Sequence, residues 1–329
     1  MSAVAGREPG HAGLIALPLH HDMGLIGVLT SLVRGLGLVI EEPGTFLRRP
    51  MAALRLIRDA EGAHSAFPDF MLRYLAARIG EAAEPDPQLF RTWRIVFCGA
   101  EPIRRRSVDA FLAATGRWGF DPTALVFCSG LAEAALMATS HRYADAGTSF
   151  WTDGPATAAC LGTPVPGLDL RVVDESGAGC ADAEAGSVRL RGPTLFDGYD
   201  GATDHRTTWF DTGDLGCLRS GRLHLSGRRG DRVSVNGVNV FATDIEQVAA
   251  AVAGVAECVV LPRGDSFAVV VPERARRIDT RHLATCVTTA FGTAPEAVIE
   301  VSHSGIARTA SGKPARTHRA ARLDQGLLR

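Results

Sequence analysis

Trp93-Arg94-Ile95-Val96-Phe97-Cys98-Gly99-Ala100-Glu101-Pro102 is the stretch that decides the fold. Its apolar run is too short for a helix and is rich in β-formers. It is cut off by glycine and proline, as a buried strand running into a turn would be. Leu14-Ile15-Ala16-Leu17-Pro18-Leu19 repeats the pattern upstream and runs into His20-His21-Asp22-Met23-Gly24, and Leu38-Val39-Ile40 reads as a third strand. Helical apolar spacing lies between them: Leu25, Leu29, Leu32 and Val33 first, then residues 50–60, then residues 70–81 with Met71, Leu72, Leu75 and Ile79 on one face. Apolar strands alternating with amphipathic helices predict an α/β fold, a parallel sheet covered by helices.

From Gly162 the rhythm changes to short strands with turn signals at Leu168–Val173, Gly186–Leu190 and Gly221–Leu225, predicting a small β-rich layer or barrel. Gly227-Arg228-Arg229-Gly230-Asp231 is polar and glycine-flanked, as a hinge would be. Beyond it, strands at Val233–Val235, Cys258–Leu261 and Ala268–Val271 and helices at Ala242–Ala253 and Thr280–Phe291 predict a small α+β domain. The expected organisation is therefore 1–227, made of an α/β sheet part (1–160) and a β-rich part (161–227), a hinge at 228–231, and a mobile C-terminal domain at 232–329. There is no internal repeat and no low-complexity linker.

The 329 residues are 46% hydrophobic, enough for a substantial core. A net charge of −1 leaves no electrostatic footprint for nucleic acid, and Arg104–Arg106 and Arg274–Arg277 read as solvated runs. The seven cysteines are odd in number and show no CxxC spacing, which disfavours a disulfide framework or zinc site and fits a reducing, cytoplasmic setting. No stretch of 18 apolar residues exists, so no membrane insertion is expected, and the first residues lack the apolar region of a signal peptide.

Lysine occurs once. Lys+Arg total 35 and Lys313 is the sole lysine, leaving 35 − 1 = 34 arginines. GC-rich codon drift explains the arginines, and such a composition suggests secondary metabolism. Drift does not explain why the survivor sits in Arg308-Thr309-Ala310-Ser311-Gly312-Lys313, where a compact ammonium on a flexible stem can deliver one charge to a reacting centre.

Several separate motifs then agree. They are Pro18–Leu25, Trp93–Pro102, Gly130-Leu131-Ala132-Glu133-Ala134, Arg191-Gly192-Pro193, Asp211-Thr212-Gly213-Asp214-Leu215, Gly227–Asp231, Val235–Asn239 through Asp244-Ile245-Glu246, and the loop ending at Lys313. In this order they resemble the adenylate-forming superfamily, most closely its fatty acyl-AMP ligase branch. The resemblance implies activation of a carboxylic acid as its acyl-adenylate, then transfer to a thiol of an acyl carrier protein or coenzyme A. Adenylation brings a carboxylate onto an α-phosphate, two anions whose charge must be neutralised by cations.

On that resemblance Glu133 would hold Mg²⁺, a hard ion that takes oxygen ligands; as a bare residue it reads equally as a helix-start carboxylate. Asp214 would accept both ribose hydroxyls, with Arg228 beside it, the alternatives being a turn aspartate and a surface arginine. Gly99-Ala100-Glu101-Pro102 would lie under the adenine, or be simply a strand-to-helix turn. His21 would stand at the mouth of an acyl pocket, or cap the next helix; the pocket would be lined from Phe67-Pro68-Asp69-Phe70, unless those residues are core. Lys313 would approach the acyl carboxylate and α-phosphate. Asp231 would be the pivot of a domain swing between half-reactions.

The chain also departs from the family pattern. No glycine-rich loop with a lysine precedes the His-Asp motif and no GxxxxGK[ST] occurs, so the first third of the family fold is expected to be missing and autonomous use of ATP to be impaired. Ser129 stands where an aromatic would stack on adenine. Only 27 positions separate Glu133 from Cys160, and the stretch from Tyr199 to Trp209 is short. These departures leave three expectations: a ligase-like enzyme handling AMP or an acyl-adenylate, one part of a split enzyme completed by a homodimer or partner subunit, or a non-catalytic scaffold. Serine hydrolysis is disfavoured, because Phe127-Cys128-Ser129-Gly130 is not a GxSxG elbow.

Overall fold

The computed structural model describes residues 12–82, 84–153, 156–200, 208–235, 238–255, 257–263, 266–273, 278–302 and 306. Lys313, Asn236 and Gly237 lie outside the described residues.

The apolar runs form parallel strands. β1 (Ala12–Ile15), β2 (Gly37–Ile40), β3 (His64–Ala66), β4 (Ile95–Cys98) and β5 (Leu125–Gly130) pair side by side in the order β2-β1-β3-β4-β5. Helices fill the connections: α1 (Asp22–Val33), α2 (Pro43–Arg48), α3 (Pro50–Asp59), α4 (Asp69–Gly80) and α5 (Arg105–Thr115). β1 stops at Ile15, earlier than the apolar run suggests. Pro18 has no N–H for a ladder, and its carbonyl instead accepts the His21 N–H at 3.1 Å, closing a turn ahead of α1.

The layer around these strands is aromatic. Phe46, Phe67, Phe90, Trp93, Phe111 and Trp118 are almost fully buried, and Phe90 meets Trp93, Phe111 and Phe120 edge-to-face. That orientation places positive ring edges on negative ring faces.

After β5 the path turns antiparallel. β6 (Met137–Arg142), α6 (Ala146–Ser149), β7 (Phe150–Asp153), β8 (Ala156–Pro164), β9 (Asp169–Val173), β10 (Gly186–Arg191), β11 (Phe210–Arg219) and β12 (Arg222–Arg228) continue it as β5-β6-β8-β12-β11-β10-β9, with β7 on β8. β8 runs through residues 160 and 161, so one strand spans the expected α/β to β-rich boundary.

By internal contacts the chain divides into two compact units. The larger comprises Met1–Trp151, Ala158–Thr212 and Gly216–Leu225; the smaller comprises Thr152–Thr157, Gly213–Leu215 and Ser226–Arg329. This division is less contiguous than 1–227, 228–231 and 232–329, and its main boundary falls just ahead of the expected hinge. Within the smaller unit, β13 (Arg232–Val235) pairs antiparallel with β14 (Val238–Phe241). β15 (Val259–Arg263), β16 (Ser266–Pro272) and β17 (Ala297–Val301) form a second sheet. Helices α7 (Ala242–Ala253) and α8 (Thr280–Phe291) bury Ile245, Ala249, Leu283 and Val287 in a core shared with Val260, Phe267 and Val269. Among the described residues no helix is long and apolar enough to cross a membrane.

Candidate functional site

In the larger unit the candidate residues gather at the carboxyl ends of parallel strands, the edge at which open α/β sheets bind ligands. His21 follows β1, residues 99–102 follow β4, and Ser129 lies near the end of β5. His21 is the N-cap of α1: its Nδ1 accepts the Met23 N–H at 3.2 Å and lies 2.6 Å from Asp22 Oδ1. The capping alternative read from the sequence is therefore present, and it leaves the ring about one-fifth exposed.

The segment 99–102 is built by close approach. A Cβ at Gly99 would stand 2.6 Å from the Cys128 carbonyl oxygen and 2.9 Å from its sulfur, so only glycine lets β4 and β5 end so near each other. Ala100 then adopts φ +66°, a left-handed conformation that an alanine enters at a cost of about 1 kcal/mol. Glu101 Oε1 accepts the Phe70 N–H at 2.7 Å, in the first turn of α4, and burial pushes its carboxyl pKa upward.

Beneath this loop sits a residue whose role the sequence did not reveal. Asp69 is fully buried; its Oδ1 accepts the Arg104 N–H at 2.8 Å and its Oδ2 accepts the Ser107 hydroxyl at 2.9 Å, with Arg73 Nε at 3.4 Å. One carboxylate thus ties α4, the 99–104 loop and α5 together. Phe67 is also fully buried and stacks obliquely on Trp93, so it is core rather than pocket lining; of that segment, Phe70 is 40% exposed.

Ser129 pairs with Thr139 of β6, and the register slips at Gly130, where a Cβ would collide with the Leu136 carbonyl. The slip throws the chain into a short 3₁₀ turn, Ala132–Ala134, which carries Glu133. The Glu133 carbonyl accepts the Phe196 N–H at 2.8 Å, and its Oε1 accepts the Tyr199 hydroxyl at 2.5 Å. In the sequence Tyr199 marks only the start of a short stretch. Its contact spans 66 positions, and no local pattern announces such a pairing.

In the smaller unit Asp214 and Arg228 meet, Arg228 Nε lying 3.2 Å from Asp214 Oδ1. Asp214 is about one-fifth exposed and Arg228 two-thirds exposed. Asp231 ends the 3₁₀ turn Arg229–Asp231 between β12 and β13. Lys313 lies outside the described residues.

Among the described residues no three His, Cys, Asp or Glu side chains gather in a way that could hold a metal ion by themselves. Glu133 offers a single carboxylate. Such a donor set would suit Mg²⁺, a hard ion that needs few protein ligands, and does not fit a protein-caged transition metal.

Comparisons with known proteins bear on the family and the fold. The family described as AMP-binding enzyme matches residues 2–200. Rv1013 of Mycobacterium tuberculosis, whose name carries a provisional ligase assignment, is 33% identical over 90% of this chain and 61% of its own length. The long-chain-fatty-acid–AMP ligase FadD32 of Mycolicibacterium smegmatis is 27% identical over 94% of this chain and 52% of its own. A solved chain from a study of fatty acyl-adenylate ligases of E. coli and L. pneumophila superposes with a TM-score of 0.85 at 27% identity, covering 98% of this chain and 64% of that one. The chain thus spans between about half and two-thirds of the length of the relatives it matches.

Proposed function

We propose that this chain, which belongs to the AMP-binding enzyme family, binds an acyl-adenylate and passes its acyl group to the thiol of an acyl carrier protein or coenzyme A. The observation that carries the reading is the convergence of His21, Gly99–Pro102 and Ser129 at the carboxyl ends of β1, β4 and β5. In this proposal the backbone of residues 99–102 receives the adenine, and Asp214, steadied by Arg228, accepts the ribose hydroxyls. Glu133 contributes a carboxylate to Mg²⁺, which would neutralise phosphate charge when bound. His21 borders the acyl group, and Lys313 offers its ammonium to the α-phosphate. Asp231 is the pivot about which residues 232–329 reorient between the half-reactions.

In the transfer half, a thiolate sulfur attacks the acyl carbonyl carbon, the carbonyl carbon–phosphate oxygen bond breaks, and AMP leaves with its electron pair. In the activating half, a carboxylate oxygen attacks the α-phosphorus and pyrophosphate leaves. The second of these needs donors around the β- and γ-phosphates. These 329 residues contain no glycine-rich lysine loop, and removing such preorganised donors costs about 10² or more in rate apiece. The proposal is therefore that these residues by themselves perform little ATP-dependent adenylation, the missing donors coming from a homodimer, a partner subunit or further sequence of the same protein, in a cytoplasmic pathway of secondary metabolism.

Ser129, in place of an adenine-stacking aromatic, favours a second reading, a scaffold that binds no nucleotide. Calorimetry separates the two. Titration with AMP and with an acyl-sulfamoyl-adenosine is expected to show saturable binding, tighter for the latter, and to weaken in Asp214→Ala. Absence of binding by both compounds would sink the enzymatic reading and leave the scaffold.

A further inference from the structure

We propose that Tyr199 is a positioning residue that holds the Glu133 carboxylate in the orientation in which it meets a divalent cation; this rests on the reading above, that Glu133 is the protein ligand of Mg²⁺. Glu133 sits on a one-turn 3₁₀ segment, followed by Ala135 at φ +61°. A glutamate there has freely rotating side-chain bonds whose immobilisation costs conformational entropy. Two contacts from one loop remove that freedom. The Phe196 N–H holds the Glu133 carbonyl at 2.8 Å, and the Tyr199 hydroxyl holds Oε1 at 2.5 Å, the short distance of a charge-assisted bond.

The loop is itself anchored. Tyr199 packs edge-on against Phe196 with ring centroids 4.8 Å apart, and Phe196 meets Phe210 at 5.3 Å. Phe210 and Leu195 belong to a small buried cluster with Ala134, the neighbour of Glu133. Turn and loop therefore behave as one body, with the phenol as the clamp between them. Tyr199 remains 59% exposed, so burial does not account for where its hydroxyl points.

The clamp is compatible with metal binding. A carboxylate has about four lone-pair positions and the phenol occupies one of them. Among the described residues no other side chain bonds to this carboxylate, which leaves Oε2 for the cation. Outer hydrogen bonds of this kind orient metal-binding groups, and their loss lowers metal affinity by about 10–100-fold.

The test uses the whole chain and Mn²⁺ as the probe, titrated with and without AMP and followed by the EPR signal of free Mn²⁺. Tyr199→Phe keeps the ring on Phe196 and removes only the hydroxyl. It is expected to weaken Mn²⁺ binding about tenfold, with a melting temperature within a degree or two of the parent. Glu133→Gln is expected to abolish the high-affinity signal, and the double variant to bind no worse than Glu133→Gln. If Glu133→Gln is damaged while Tyr199→Phe binds as the parent does, or more tightly, the clamp is overturned and the Glu133 reading stands. If the parent binds no Mn²⁺, or Glu133→Gln binds it as the parent does, the Glu133 reading falls and takes the clamp with it.

Discussion

Asp69→Asn is the substitution that most directly tests how the 99–102 loop is held. The carboxylate is fully buried and faces four donors: the Arg104 N–H at 2.8 Å, the Ser107 hydroxyl at 2.9 Å, Arg73 Nε at 3.4 Å and Arg104 Nη1 at 3.5 Å. Asparagine is nearly the same size. It can still accept from the Arg104 N–H, and the Ser107 hydroxyl can rotate to accept from the new amide. What it cannot do is answer two guanidinium groups, because it places a neutral donor where Oδ2 was. Removing one partner of a buried pair costs about 3–5 kcal/mol. Arg73 is one-fifth exposed and Arg104 one-tenth, so water recovers part of that, and about 3 kcal/mol is expected at pH 7. Urea unfolding followed by tryptophan fluorescence suits the measurement, since Trp93 and Trp118 are buried in the same core. At about 2–4 °C per kcal/mol, the melting temperature of the larger unit should fall by about 6–12 °C. Asp69→Ala should cost more, because it also leaves the Arg104 N–H and Ser107 hydroxyl without their acceptor. A loss below about 1 kcal/mol for Asp69→Asn would refute the view that this carboxylate is the tie between α4, the loop and α5.

Lys313→Ala is expected to abolish any acyl-activating turnover, alone or with a partner subunit, at little cost in stability. Lys313→Arg should fail to restore it, because a forked guanidinium cannot place one compact charge in the same way; full activity in Lys313→Arg would make the residue a generic cation. His141 and His224 have pKa values lowered first by burial, with Arg222 near His141 and Arg219 near His224. The folded state thus resists protons that the unfolded chain takes up below about 6.5. Stability should fall as pH drops from about 6.5, and a His141→Gln/His224→Gln double variant should show a flatter pH profile of urea midpoints. Asp244 has the opposite sign: burial first and then Glu246 raise its pKa from 3.8 to about 7. The unfolded chain loses that proton first, so stability declines between about pH 4 and 7. Asp244→Asn should stabilise the chain at pH 8, by at most about 4 kcal/mol, and not at pH 3. On α1, Leu25, Leu29, Leu32 and Val33 are 47%, 44%, 64% and 83% exposed beside edge strand β2. Sedimentation should show concentration-dependent association that Leu32→Asp weakens; a monodisperse monomer across the micromolar range would count against a covered face.

How much was legible depended on distance along the chain. A strand, a helix and the turn between them are written in residues two to four positions apart, where side-chain spacing meets the pleat or the helical turn. Hence the runs at Leu14 and Ile95, the amphipathic helices at residues 50–60 and 70–81, the strands at Val233, Cys258 and Ala268 and the helices at Ala242 and Thr280 could be read without coordinates, whereas β14 and β17 could not. The order of motifs from His21 to Lys313 was enough to indicate the family. Tertiary structure alone decided which residues meet across long separations. Phe67 and Asp69 looked alike as pocket-lining candidates, yet one is aromatic core and the other the buried anchor of three elements. Tyr199 reaches Glu133 from 66 positions away because the strands after β5 return their loops to that turn, which is a property of topology. Ala100 takes a left-handed conformation that its identity disfavours, because the close approach of β4 and β5 at Gly99 dictates the path of the chain.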